Sequence, residues 1–363
     1  MTWVRRGRDI GLPFAGEPGA HNAITDVAGV EVGTVTLVAG DGPLVVGKGP
    51  VRTGVTAILP RGRTGAHAPC AAGSYALNGN GEMTGLAWIE EAGELQTPIT
   101  ITNTHSCGVT RDATIRWMVT RGVGTVQDWG LPVAAETYDG ELNDINGFHV
   151  TAEHTLEALD KARGGPVEMG SVGGGTGMIC YDFKAGNGSA SRRVKIGGAD
   201  YKLGVFVQAN FGRREDLTVL GVPVGQHIGE DKLRDKEQGS VIAIVATDAP
   251  LLPHQLKRIA RRVPLGLART GTVGTNSSGD IFLAFSAANA EALAQRGDGA
   301  RRFEGLPNGA IDGLFRATVE ATEEAVIDSM LAATTMVGRD GNRSIALPHD
   351  RLIALMRQYG RMR

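Results

Sequence analysis

Several features that mark common protein classes are scarce in this chain. Cysteine occurs at Cys70, Cys107 and Cys180, odd in number and far apart. That spacing makes neither a disulfide framework nor a CxxC metal pair. Aromatics are 5% of 363 residues, so the core is expected to rest on Val, Ile, Leu and Ala. Neither charge sign dominates: 37 Lys and Arg stand against 39 Asp and Glu, a formal net charge of -2. Without a basic excess or polybasic cluster, neither nucleic acid nor a membrane surface is an expected partner. No run of about 18 apolar residues occurs, so no transmembrane helix is expected. The opening MTWVRRGRDIGLPFAGEPGAHN lacks an apolar stretch of signal-peptide length, and a cytoplasmic location is the expectation.

Glycine is in excess. There are 53 glycines, roughly twice the average usage of about 7%. Glycine lets backbone approach backbone or ligand closely. Hydrophobic residues at 42% and charged ones at 21% describe a globular chain with a substantial core. No repeat, low-complexity tract or long linker divides it, so 1–363 is read as a single domain.

Strand-like runs alternate with helical ones. Residues 29–38, 54–60, 98–106, 131–140, 202–214, 240–246 and 280–286 read as strands. Residues 109–121, 151–163, 316–336 and 348–360 read as helices. A further helix is expected after residue 246, capped by Thr247 or Asp248 with Pro250 in its first turn. Such a mixture predicts a layered α/β or α+β body.

Four motifs come close to known chemistry. Gly42-Pro43-Leu44-Val45-Val46-Gly47-Lys48 matches GxxxxGK, but Gly49 stands where a magnesium-binding Ser or Thr belongs. A turn between strands is the plainer reading. Gly173, Gly174, Gly175 and Gly177 lack the GxGxxG spacing of a dinucleotide site. THSCG (104–108) resembles a nucleophile elbow around Ser106 and Cys107, but its first position is Thr, and helix capping after a strand explains it as well. The histidines contain no HExxH, and His149 and His154 are five apart, so no metal site is expected.

Gly239-Ser240 is different in context. A charged segment, GEDKLRDKEQG, ends at glycine, and the apolar run SVIAIVA begins with serine. Were that bond cut, Ser240 would carry a hydroxyl and an α-amine of unperturbed pKa about 7.7–8.0. Such an amine is suited to act as the serine's own base, the logic of an N-terminal nucleophile. The cut could be made by the Ser240 hydroxyl on the Gly239 carbonyl. A plain loop-to-strand junction is the alternative, since Gly-Ser also occurs at 73–74, 170–171 and 188–189.

The surrounding segments carry a family resemblance. GSVIAIVATDAPLLPHQLKRIARR (239–262) resembles the start of the small chain of the L-aminopeptidase/D-amidase/D-esterase and β-peptidyl aminopeptidase family. Similarity extends through ITDVAGVEVGTVTL (24–37), TNTHSCGVTRDA (102–113), ETYDGELNDING (136–147), GSVGGGTGMICYDFKAGNGSASR (170–192), LGVFVQANFG (203–212) and GTNSSGDIFLAFS (274–286).

That resemblance implies a four-layer αββα sandwich, similar to N-terminal nucleophile hydrolases with different connectivity. It implies autocleavage at Gly239-Ser240 into chains 1–239 and 240–363, and a homo-oligomer of the pairs, usually a tetramer. No cofactor and no metal are implied. Ser240 matches the nucleophile and Asn210 the amide that meets the oxyanion. Ser278 and Asp280 match the serine and acid beside the nucleophile, with Asp280 the expected partner of the substrate's ammonium. Asp280 is shorter than the Glu of the β-peptidyl branch. Tyr138 matches a tyrosine lining the substrate pocket. The implied substrate is a small peptide, amide or ester with a free amino terminus. An acyltransferase of the ornithine acetyltransferase type, which uses threonine at this seam, and an uncleaved inactive binding protein are the alternatives.

Overall fold

The computed structural model describes residues 6–66, 68–122, 129–234, 239–295 and 297–362. The body rests on β1 (Glu31–Ala39), β2 (Val51–Leu59), β3 (Cys70–Gly79), β4 (Glu94–Leu95), β5 (Ile99–Asn103) and β6 (Val133–Thr137). It continues through β7 (Ile179–Cys180), β8 (Phe183–Lys184), β9 (Asn187–Ile196), β10 (Ala199–Asn210), β11 (Ser240–Thr247) and β12 (Gly279–Ser286). One sheet runs β1-β2-β5-β6 and a second runs β4-β3-β12-β11-β10-β9.

Alternating side chains sort the strands into layers. Ile242, Ile244 and Ala246 of β11 join Ile58, Ile99 and Ile101 of the smaller sheet in one buried cluster. Val241, Ala243 and Val245 face the other way, onto Ala321 and Ala325 of the helix Asp312–Leu331 and Leu256 and Ile259 of the helix Pro253–Ala260. Successive strand residues point to opposite faces, so a strand covered on both reads as an unbroken apolar run. The smaller sheet's outer face packs Val35, Val55 and Leu59 against Trp117 of the helix Cys107–Thr120 and Leu159 of the helix Ala152–Asp160. The order helix, sheet, sheet, helix is the four-layer αββα sandwich.

Where element bounds differ from the sequence reading, side-chain partners explain it. The helix after β11 begins at Pro253, not beside Asp248. Thr247 still belongs to the strand and donates to Lys202 O at 2.7 Å. Asp248 accepts from Lys202 N at 2.7 Å, so its carboxylate ties down β10 and caps no helix. The helix expected over 316–336 spans Asp312–Leu331. The glycine-dense stretch contains β9, a strand its pattern conceals. A Cβ on Gly188 would lie 1.9 Å from Ala325 O, so glycine there lets the covering helix touch the sheet.

Candidate active site

The end of β10 and the starts of β11 and β12, neighbours in the middle of the larger sheet, meet at one end of its strands. Antiparallel pairing sets Asn210, the last residue of β10, opposite Ser240, the first of β11. Parallel pairing sets Ser240 opposite Gly279, the first of β12. The sequence places these residues 30 and 39 positions from Ser240 in the chain, and register brings them side by side. Ser240 is 5% exposed. The charged segment expected before it is described through Arg234; residues 235–238 lie outside the described residues.

Gly239 fits where no side chain could. A Cβ there would lie 1.8 Å from Asn210 O and 3.0 Å from the Phe211 Cα. This contact presses the Gly239 peptide against the end of β10. The Ser240 hydroxyl turns back and donates to Gly239 O at 2.8 Å. The Gly279 N–H lies 3.2 Å from Ser240 Oγ and 3.3 Å from Gly239 O. A hydroxyl, the carbonyl before it and a backbone donor thus converge on one peptide.

Ser278 and Asp280 flank Gly279. The Ser278 hydroxyl donates to Asp280 Oδ1 at 2.5 Å, and Asn78 Nδ2 donates to Asp280 Oδ2 at 3.0 Å. Both residues are buried, so this carboxylate belongs to a held network.

Asn210 is fully buried and its amide orientation is fixed by its partners. Oδ1 accepts from Ile179 N at 3.0 Å and from Arg234 Nη2 at 3.2 Å. Nδ2 donates to Tyr138 O at 2.7 Å. A primary amide has two N–H donors, so one remains beyond the Tyr138 bond. It is the backbone carbonyl of Tyr138 that touches Asn210. Its half-buried phenol lies over Gly140, and burial, then Glu141, push its pKa up.

The structure adds groups that sequence reasoning passed over. Glu136 is buried at the end of β6. It accepts from Glu82 N at 2.8 Å and from the Thr104 hydroxyl, and burial pushes its carboxyl up. Gly81 lies between Glu136 and Gly279: its added Cβ would stand 3.1 Å from the Gly279 Cα and 3.2 Å from Glu136 Oε1. Glu136 therefore forms an acidic wall beside the Ser240 end. The available signal was a carboxylate inside the apolar run VAAET, which is costly without a purpose. Asp139 is fully buried, and burial raises its carboxyl to about 7. Lys184 is also fully buried, donates to Met178 O and Ala185 O, and is driven well below the usual lysine range by burial.

The other motifs resolve into structural roles. Gly42 to Gly49 form a turn between β1 and β2, with Asp340 and Asp144 accepting from Leu44 N and Gly47 N. Gly173 and Gly174 donate to Thr36 and Thr56 hydroxyls. In THSCG the strand ends at Asn103, whose side chain accepts from Ser106 N. Cys107 is buried, and desolvation pushes its thiol up to about 12, the wrong direction for a nucleophile. His149 pairs with Asp144 at 2.9 Å, while His154 accepts from Thr151 N at its helix start. Among the described residues no group of three His, Cys, Asp or Glu is placed to hold a metal, and no helix is long and apolar enough to cross a membrane.

Known proteins share this fold. β-Peptidyl aminopeptidase BapA of Sphingosinicella microcystinivorans is 50% identical over 98% of this chain and 93% of its own. The solved L-aminopeptidase D-Ala-esterase/amidase of Ochrobactrum anthropi is 48% identical, covers 99% of both chains and superposes with a TM-score of 0.93. It is described as a prototype serine aminopeptidase with a variant of the Ntn hydrolase fold. A β-aminopeptidase from Burkholderia sp. is 46% identical over 98% of this chain and 99% of that one, with a TM-score of 0.90. The signature of peptidase family S58 matches residues 22–344, and the chain belongs to that family.

Proposed function

We propose that this aminopeptidase cuts its own chain at Gly239-Ser240 and then uses Ser240 to release N-terminal residues from short peptides, amides or esters. The observation carrying the proposal is the Ser240 hydroxyl hydrogen-bonded to Gly239 O, with the Gly279 N–H within reach of both.

In self-cleavage, Ser240 Oγ attacks the Gly239 carbonyl carbon and gives up its proton. The Gly279 N–H meets the developing oxyanion. The C–N bond breaks, the amine of Ser240 takes a proton, and an ester joins Gly239 to Oγ. Water hydrolyses that ester to a Gly239 carboxylate and a free Ser240 hydroxyl. Chains 1–239 and 240–363 result, held together because β11 sits between β10 and β12 of the same sheet.

In peptide hydrolysis the free α-amine accepts the Ser240 Oγ proton, directly or through Ser278. Oγ attacks the substrate carbonyl, and the second N–H of Asn210 and the Gly279 N–H hold the oxyanion. A preorganised amide donor of this sort is worth roughly 2.7–4 kcal/mol in the transition state. The leaving amine departs protonated, and water releases the acyl group from Ser240. The substrate's ammonium is drawn to the acidic wall of Asp280 and Glu136, and the Tyr138 phenol lines the pocket. Asp280 is already held by Ser278 and Asn78, which makes Glu136 a second anchor for that ammonium.

A pocket that grips the ammonium measures distance from the amino end, hence exopeptidase action. The names of BapA and of the Burkholderia enzyme favour β-amino-terminal residues among the substrates. Serine at the seam and these relatives disfavour acyl transfer of the ornithine acetyltransferase type. Assembly into a homo-oligomer of processed pairs, a tetramer by resemblance, and a cytoplasmic location belong to the same proposal. Denaturing electrophoresis with intact-mass measurement tests its core. Wild type should give two fragments that sum to the full chain plus one water, and Ser240→Ala one intact chain. Cleavage at 239–240 in Ser240→Ala would overturn it.

A further inference from the structure

We infer that Arg234 is a positioning residue for the Asn210 amide, acting from the upstream arm of the cut loop. The inference rests on the reading of Asn210 as the oxyanion donor.

Three contacts leave the Asn210 amide one orientation. Ile179 N–H and the Arg234 guanidinium are donors and need Oδ1; Tyr138 O is an acceptor and needs Nδ2. Arg234 differs from the other two partners in carrying charge. A cation on an amide oxygen draws electron density toward that oxygen and leaves the N–H groups more positive. The remaining N–H of Asn210 therefore becomes a stronger donor where the oxyanion forms.

Arg234 is built in deliberately. Its side chain is 5% exposed, and Nε faces Glu141 Oε1 at 3.9 Å without a hydrogen bond. Nη1 reaches Ile179 O at 3.4 Å. Burying a guanidinium is costly, and burial pulls it below its usual range while Glu141 and Asp182 offset that pull. A residue kept only to end a surface loop would not be placed there.

Its backbone is held as firmly. The Asp182 carboxylate accepts from Leu233 N at 3.1 Å and from Arg234 N at 3.2 Å. Arg214, fully buried over the Phe183 ring at 3.5 Å, donates to the carbonyls of Ile228 and Glu230. The arm is thus clamped up to Arg234. When the bond after Gly239 breaks, Arg234 stays with the large fragment, so the same cation serves self-cleavage and later turnover.

A double-mutant cycle separates this role from loop anchoring. Arg234→Met, Arg234→Lys, Asn210→Ala and Arg234→Met/Asn210→Ala are compared in the full chain. The readouts are processing half-time by intact mass, kcat and KM on a chromogenic aminoacyl anilide, and thermal midpoint. Arg234→Met should lower kcat about five- to tenfold, because it removes the cation and its hydrogen bond from the Asn210 amide oxygen, with KM nearly unchanged. Arg234→Lys should recover part of that loss. In the Asn210→Ala background, Arg234→Met should change kcat by less than about twofold, because its route is already gone. If Arg234→Met proves too unstable to process, the same cycle is read with Arg234→Gln.

Equal losses in both backgrounds, a loss confined to KM, or no loss at all would overturn the inference. A wild-type kcat in Asn210→Ala would sink the oxyanion reading itself, and this inference with it. Processing in wild type but not in Ser240→Ala stands apart from all these outcomes, so failure at Arg234 is distinguishable from failure of the nucleophile.

Discussion

Gly188-Ser189 and Gly239-Ser240 are the same dipeptide on the same six-stranded sheet, and both are buried. Ser189 lies inside β9. Its hydroxyl donates across to Val205 O at 2.7 Å and accepts from Ile24 N at 2.8 Å. Both bonds join separate parts of the chain, so the hydroxyl is used up in holding structure. Ser240 opens β11, and its hydroxyl bonds to the carbonyl of its own preceding peptide. A strand end leaves backbone donors such as Gly279 N–H to face that peptide. Burial and residue type are shared, so they do not make a nucleophile. In the proposed mechanism, the direction in which the hydroxyl is aimed does.

The largest effect should come from the two serines themselves. Ser240→Ala should abolish fragment formation and lower hydrolysis by about 10⁴-fold or more, as loss of a nucleophile does. Ser189→Ala should process normally but lose about 1–3 kcal/mol in chemical denaturation, because Ile24 N is left unsatisfied. Processing failure in a well-folded Ser189→Ala protein would erase the distinction.

Next in size is Asn210→Ala, expected to cut kcat by about 10²–10³-fold. Steady-state kinetics on processed enzyme measures it, with intact mass monitoring whether processing slows in parallel.

The glycines should then part company. Gly188→Ala forces a methyl onto Ala325 O inside the sandwich, a loss of about 1–3 kcal/mol by overpacking. Gly239→Ala forces one onto Asn210 O at the residue before β11, outside the strand ladder. Its processing half-time should lengthen while its thermal midpoint moves less than that of Gly188→Ala. The reverse ranking would mean that Gly239 is structural.

A further effect concerns pH. Asp139 follows Tyr138, whose carbonyl meets Asn210, and burial raises its carboxyl to about 7 from an ordinary 3.8. A carboxyl raised on folding favours the folded state most when protonated. Its contribution is fully present below about pH 3.8 and is lost as pH rises through about 7. Asp139→Asn should therefore flatten the fall in stability between those values, as read by denaturation midpoints across the range. An unchanged slope would show that Asp139 is not the group responsible.

Much of the fold is legible along the chain because its strands are long and patterned. SVIAIVA reads as a strand covered on both faces, and Ile242 and Val241 do face opposite layers. The strand CAAGSYALNG is hidden because it contains no β-branched residue. β9 is hidden by its small residues, such as Gly188, which meets Ala325 of a helix far along the chain. Thr247 and Asp248 look like helix caps, yet their partner is Lys202 on the neighbouring strand. Capping chemistry is local in sequence, but the competing acceptor and donor were not.

At the site, the sequence by itself determined the chemical parts. It supplied a serine after glycine at a strand start, an amide ending another strand, and Ser278 and Asp280 two residues apart. It also determined the family, through long ordered motifs. Only the tertiary structure decided where those parts lie. Strand register, a property of three chain segments paired at once, put Asn210 and Gly279 on either side of Ser240. Packing decided that Glu136 stands behind Gly81 and that Arg234 reaches the oxygen of Asn210 and not its nitrogen. Hydrogen-bond direction depends on which donor or acceptor arrives from elsewhere in the fold, and no local pattern contains that partner.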